Sequence, residues 1–154
     1  MDEPQPGAPT GVAAKYILLA LLVLVAVLIL RGRLASKSEP APGWSQDYQA
    51  TLDRSRAEGL PLLLRFTATW CGPCQQMERY VLPDPRVVQT VSRFAAVSID
   101  VDAQPSLAQK YGVTAIPTFI VLSPTGAEVA RLGPYDSPEA FVTALEQALG
   151  KLQA

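Results

Sequence analysis

Between Tyr16 and Leu30 no side chain carries a charge, and apart from the phenol of Tyr16 none is polar. This run constrains the chain more than any other feature, because it is apolar on every face and a small domain has no core large enough to bury it. A membrane-spanning helix needs about 20 residues, with a lower limit of about 17. Residues 12–30 supply that length if Lys15 lays its stem along the helix and keeps its ammonium at the interface. Two other readings are weaker. A cleaved signal peptide closes its apolar region with a small-x-small site, whereas Leu30 runs into Arg31-Gly32-Arg33. A buried core helix that is apolar on every face over this length exceeds what a small domain can bury. The expectation is an uncleaved transmembrane anchor over 12–30. A disordered, proline-containing lead over 1–11 precedes it, and a polar, proline-rich linker over 31–43 follows. The remaining residues, 44–154, are the right size for one small domain.

Within that domain helical and strand signals alternate. Ser45 is a candidate cap for a helix carrying Tyr48, Leu52 and Leu60 on one side and ending near Gly59-Leu60-Pro61. A short strand is expected from Leu62 to about Thr67, then a turn, then a helix through Met77 and Tyr80. Asp84-Pro85 pairs an N-cap with a proline at the first helical position and restarts a helix through Val91. Residues 95–100 read as a buried strand, and 106–111 as a short helix closed by Gly112. Strands over 119–122 and 128–132 are joined by Ser123-Pro124-Thr125-Gly126, a good turn. Ser137-Pro138 opens a last helix with Phe141, Leu145 and Leu149 on one face. Strand–helix alternation ending in a hairpin predicts an α/β fold, a mixed sheet with helices on both faces.

The chain has 13 basic and 14 acidic residues, no histidine and two cysteines. No basic stripe points to nucleic acid. Without histidine there is no imidazole base or ligand. A zinc site needs four ligands, which Cys71 and Cys74 could complete only with carboxylates, so neither metal nor cofactor is expected. Two cysteines at this spacing are also too few for a disulfide scaffold.

What remains is redox chemistry in Trp70-Cys71-Gly72-Pro73-Cys74. Two thiols separated by two residues can meet when the second lies one turn into a helix. At the junction of strand and helix, unpaired N–H groups and the positive end of the helix dipole favour a thiolate on Cys71. Pro73 suits the first helical turn, Gly72 leaves Cys71 unshielded, and Trp70 offers an apolar surface to an incoming chain. Cys71 attacks a substrate disulfide, and Cys74 resolves the mixed disulfide.

These residues resemble the thioredoxin family, whose motif is Trp-Cys-Gly-Pro-Cys. Ile116-Pro117-Thr118 is similar to the family's cis-proline loop, and Phe66, Asp102, Tyr111-Gly112-Val113 and Gly133 fall at family-like offsets. The resemblance runs from Trp44 to the C-terminus. It implies a thioredoxin fold, a central mixed sheet flanked by helices, here preceded by the single N-terminal helix. It also implies a redox-active Cys71–Cys74 disulfide, a cis bond before Pro117, and backbone groups of Ile116 that pair with an extended substrate. Met77-Glu78-Arg79, Val81 and Asp84-Pro85-Arg86-Val87-Val88 further resemble the thioredoxin-like C-terminal domains of membrane thiol:disulfide interchange proteins. The chain departs from the family six residues before Cys71. A buried aspartate is usual there, Arg65 replaces it, and Ser98 stands where a lysine is common. Arg65 either stabilises a Cys74 thiolate or reaches the surface and pairs with a carboxylate. The second reading is preferred, because arginine is costly to bury.

The function expected is therefore a membrane-anchored reductase of protein disulfides. Its partners would be disulfide-containing proteins, a thiol electron donor and membrane lipid. An oxidase or isomerase, or a binding module without catalysis, are the alternatives. Arg31, Arg33 and Lys37 after the apolar run favour a cytoplasmic domain. The resemblance favours a periplasmic domain on a bacterial inner membrane, and is given the greater weight.

Overall fold

The computed structural model describes residues 11–34 and 41–153, with side chains described for 15–27 and 41–153. The expected lead, apart from Gly11, and residues 35–40 of the expected linker lie outside the described residues. Helix and domain form two units.

The first unit is helix α1 (Gly11–Leu34), 24 residues long. Its described side chains, from Lys15 to Val27, are exposed. Among the described residues no helix is long and apolar enough to cross a membrane, so the expected span over 12–30 is not shown; side chains are described there only for 15–27.

The second unit has the order α2 (Tyr48–Glu58), β1 (Leu62–Thr67), α3 (Gly72–Tyr80), α4 (Pro85–Val91), β2 (Ala95–Asp100), α5 (Pro105–Lys110), β3 (Thr118–Leu122), β4 (Glu128–Leu132) and α6 (Pro138–Gln153). The four strands form one mixed sheet in the order β2-β1-β3-β4. β1 runs parallel to β2, with Phe66 opposite Ile99, and antiparallel to β3, with Phe66 opposite Thr118. β4 pairs antiparallel with β3.

Alternation along the strands divides the core in two. Leu63, Ala96, Phe119 and Val121 face Met77, Val87, Val91, Phe141 and Leu145 of α3, α4 and α6. Leu62, Leu64, Phe66, Ile99 and Ile120 face the other way, against Tyr48 and Leu52 of α2 and Leu107 and Ala108 of α5. This is the mixed sheet with helices on both faces that the alternation implies, and the thioredoxin fold that the motifs imply.

Asp84 caps α4 as expected, its carboxylate accepting from the N–H of Arg86 at 2.9 Å. The cap of α2 is different. Asp47, not Ser45, accepts from the Ala50 N–H at 3.0 Å. Ser45 is drawn into the sheet edge instead. It bridges in parallel to Val97, with its N–H on the Ala96 carbonyl at 3.0 Å and its own carbonyl accepting from Ser98 at 2.8 Å.

Candidate active site

Three chain segments meet at the carboxyl end of the parallel strands. β1 ends at Thr67, and β2 passes its neighbour so that the Val101 N–H reaches the Thr67 carbonyl at 2.9 Å. β3, running oppositely, begins beside them at Thr118. The loop after β1 carries Trp70 and Cys71, the loop after β2 carries Asp102, and the loop before β3 carries Ile116 and Pro117. Crevices at strand carboxyl ends are the usual ligand sites of such sheets.

Cys71 is the N-cap of α3 and Pro73 lies in its first turn. A disulfide joins Cys71 to Cys74, with Cα atoms 5.2 Å apart. The Cys74 N–H donates to Cys71 Sγ at 3.2 Å. Such a donor stabilises a thiolate more than a disulfide sulfur, because a charged acceptor makes the stronger bond. Both cysteines are buried and pack with Ala68, Val101 and Ile116, so Cys71 is shielded by these neighbours although Gly72 beside it has no side chain. Gly72 and Pro73 are exposed at the helix start. The Ile116–Pro117 bond is cis, as the resemblance implies. Pro117 is buried, whereas Ile116 is partly open. The five-residue motif and the proline loop are thus brought to one place.

Trp70 is 67% exposed, yet it is not free. Its indole N–H donates to Asp102 Oδ2 at 2.7 Å. Asp102 is placed in turn by Asp100, whose Oδ1 accepts from the N–H groups of Asp102 at 2.8 Å and Ala103 at 3.2 Å. Trp70 and Ile116, with Val101, Val113 and Ala115, line a mainly apolar groove of about 350 Å³ beside the disulfide. Sequence reasoning missed the groove side chains Val101 and Ala115. Their positions before Asp102 and before Ile116 are the only signal that marks them.

Arg65 corrects an expectation. It does pair with a carboxylate, that of Glu78 on α3, but it does not reach the surface. Its side chain is only 2% exposed, against 45% for Glu78. Burial pushes the guanidinium's pKa down, and the hydrogen bond and charge of Glu78 oppose that shift. The burial tendency of arginine is overridden by a partner 13 residues away. Among the described residues no group of histidine, cysteine, aspartate and glutamate side chains could hold a metal ion.

A family model described as a thioredoxin-like domain matches residues 48–149. Thioredoxin H2 of Arabidopsis thaliana is 33% identical over 113 residues, covering 71% of this chain and 76% of its own length. Among solved structures, a thioredoxin from Thermus thermophilus superposes with a TM-score of 0.66 at 34% identity, over 73% of this chain and 91% of that one. The reduced C-terminal domain of DsbD from Neisseria meningitidis superposes with a TM-score of 0.57 at 29% identity, over 65% of this chain and 92% of that one.

Proposed function

The chain belongs to the thioredoxin-like family of disulfide oxidoreductases, and from that premise we propose that it reduces protein disulfides through Cys71 and Cys74 while α1 holds it to a membrane. One observation carries the reading. The Cys71–Cys74 disulfide sits at the first turn of α3, beside a mainly apolar groove whose Val101 and Ile116 also pack on the cysteines.

The exchange starts from the dithiol. The Cys71 thiolate attacks one sulfur of a substrate disulfide, and the other substrate sulfur leaves with the bonding electron pair and takes up a proton. Cys74 then gives its proton to solvent and attacks Cys71 Sγ. The Cys71–substrate bond breaks, and the second substrate thiolate departs. Substrate is reduced by two electrons and the protein is left as the disulfide, to be recharged by an external dithiol. Trp70, Gly72 and Pro73 shape the approach to Cys71. Backbone groups of Ile116, set by Pro117, pair with an extended substrate strand.

Membrane attachment is supported by the sequence, in which residues 16–30 carry no charge and the stretch over 12–30 holds only that of Lys15, close to the roughly 20 residues a span needs. A single span without cysteine carries no electrons across. It confines the domain near membrane partners and raises the effective concentration there. We assign the domain to the periplasmic side of a bacterial inner membrane, as in the membrane interchange proteins whose C-terminal domains it resembles.

The full chain in detergent, reduced beforehand, is expected to reduce a generic protein disulfide. Cys71→Ser abolishes this, and Cys74→Ser accumulates mixed disulfides whose sequencing names the substrates. No reduction by the intact dithiol would overturn the reading. A reduction potential near about −120 mV rather than about −270 mV would assign the protein to disulfide formation instead.

A further inference from the structure

We propose that Arg65 is a positioning residue for the redox couple: a fixed cation buried behind Cys74 that favours the reduced, thiolate-bearing form, with Glu78 as its solvent-side counterion. The inference rests on the exchange chemistry proposed for Cys71 and Cys74.

The geometry places the cation under the active-site helix. Arg65 lies on β1, and its guanidinium donates to Glu78 of α3 and, at 3.4 Å, to Thr67 Oγ1. Cys74 and Glu78 are four residues apart on α3, hence on one face and about 6 Å apart along the axis. Cys74 is 1% exposed and Arg65 is 2% exposed. Charges in the interior interact several times more strongly than they would in water.

The pair is not a neutral object as seen from the sulfur. Glu78 stands 45% in solvent, where water screens its charge, while Arg65 is wholly inside. The interior therefore carries a net positive field. Among the described residues, Arg65 Nε is buried without a hydrogen-bond partner, so part of the guanidinium is left uncompensated in the interior. The strand neighbours at the register of Arg65, Ser98 and Phe119, bring no charge. Reduction of the disulfide takes up two electrons and, where one sulfur stays ionised, one proton. The new anion is what the field stabilises.

A tie that only braced α3 against β1 would behave differently. Breaking it from either end would shift the redox equilibrium in one direction. A charge effect gives opposite signs. In equilibrium with reduced and oxidised glutathione, which supplies or accepts the two electrons, full-chain Arg65→Met is expected to disfavour the dithiol about tenfold, or about 30 mV. Glu78→Gln, which leaves the cation uncompensated, is expected to favour the dithiol by a few-fold, and Arg65→Lys to stay near the native value. In a Cys71→Ser background, thiolate absorbance of Cys74 should fall with Arg65→Met and rise with Glu78→Gln. Shifts of the same sign in both variants, or none in either, overturn the proposal. If Arg65→Met does not fold, Glu78→Gln decides alone: a rise supports the proposal, and no change or a fall overturns it. A chain that equilibrates with glutathione but reduces no protein disulfide would overturn the proposed function and leave this inference standing.

Discussion

The indole N–H of Trp70 donates to Asp102 Oδ2 at 2.7 Å, so the exposed ring beside Cys71 is held by the loop after β2. The two residues lie 32 positions apart, and Asp100 fixes the turn that brings them together. Asp102→Ala frees the ring to rotate over the groove. An exposed bond of this kind contributes about 1 kcal/mol, equivalent to roughly fivefold in rate. The expected result is a drop of that size in kcat/KM for a protein disulfide, with a small aromatic disulfide nearly unaffected. Asp102→Asn retains an acceptor oxygen and should stay within about twofold of the native chain.

How much of this site the sequence announces depends on how local each cause is. The strands and helices were legible because local signals mark them: the Leu62-Leu63-Leu64 run, the Asp84-Pro85 cap, the Ser123–Gly126 turn and the Phe141-Leu145-Leu149 stripe. The pairing of Cys71 with Cys74 was legible because, with no histidine and no further cysteine, a redox pair suits that spacing far better than a metal site. Proximity of Ile116 and Pro117 to the disulfide came from resemblance alone, since no local rule places residue 116 beside residue 71. Arg65 was misplaced for the same reason in reverse. Its burial depends on Glu78, which no residue-level tendency anticipates. The α2 cap was missed because Ser45 and Asp47 are both good caps, and the choice is made by the edge of β2, some 50 residues on, which takes the Ser45 backbone.

Two glycines with equal room should respond differently to alanine. A Cβ at Gly59 or at Gly72 would meet nothing within 4 Å. Gly59, however, closes α2 at φ 66°, in the left-handed region, whereas Gly72 does not have a positive φ. Gly59→Ala should therefore cost about 1 kcal/mol in urea unfolding at unchanged m-value. Gly72→Ala should change stability by less than about 0.5 kcal/mol and register only in the rate of disulfide exchange. Equal losses at both positions would show that backbone conformation is not the cause.

Asp84 makes stability depend on acid. Hydrogen bonds from the Arg86 guanidinium, and then from the Arg86 backbone N–H, hold its carboxyl down to about 2 against an ordinary 3.8. The unfolded chain titrates near the ordinary value, about 3.9. A depressed native pKa means the contribution is complete above that range and disappears as pH falls through the native value. The stability gap between the native chain and Asp84→Asn should be flat from about pH 8 to about pH 5, and close between about pH 4 and about pH 2. Urea midpoints across that range measure it. A gap that persists at the acid end would remove ionised Asp84 as its source.

Phe119 links the sheet to the last helix. Its ring centroid lies 4.8 Å from that of Phe141 and 6.0 Å from that of Trp44, and it is fully buried. Phe119→Ala should cost about 3 to 5 kcal/mol, a large share of the roughly 5 to 15 kcal/mol of a small domain. Phe119 also stands opposite Arg65 across β1 and β3, so the thiolate fraction of the reduced pair should change along with stability. Near-UV circular dichroism and urea unfolding together report the first effect.

The proposed attachment to a membrane rests on the apolar run of residues 16–30 and can be tested apart from the chemistry. The full chain should stay with the membrane fraction through an alkaline carbonate wash, and a chain lacking residues 1–39 should be released with its disulfide exchange intact. Two arginines in place of Leu21 and Leu24 are a sharper test. Each costs about 2.5 to 3.5 kcal/mol at the centre of a spanning helix, so the pair removes most of the insertion energy without shortening α1. Release of that variant, with activity on a soluble disulfide substrate unchanged, is the result expected of an anchor that only localises. Retention of the doubly substituted chain would mean that α1 does not span. A reporter fused after Ala154, active only outside the cytoplasm, then gives the side: activity supports the periplasmic assignment, and silence in a folded fusion reverses it in favour of the Arg31, Arg33 and Lys37 charge bias.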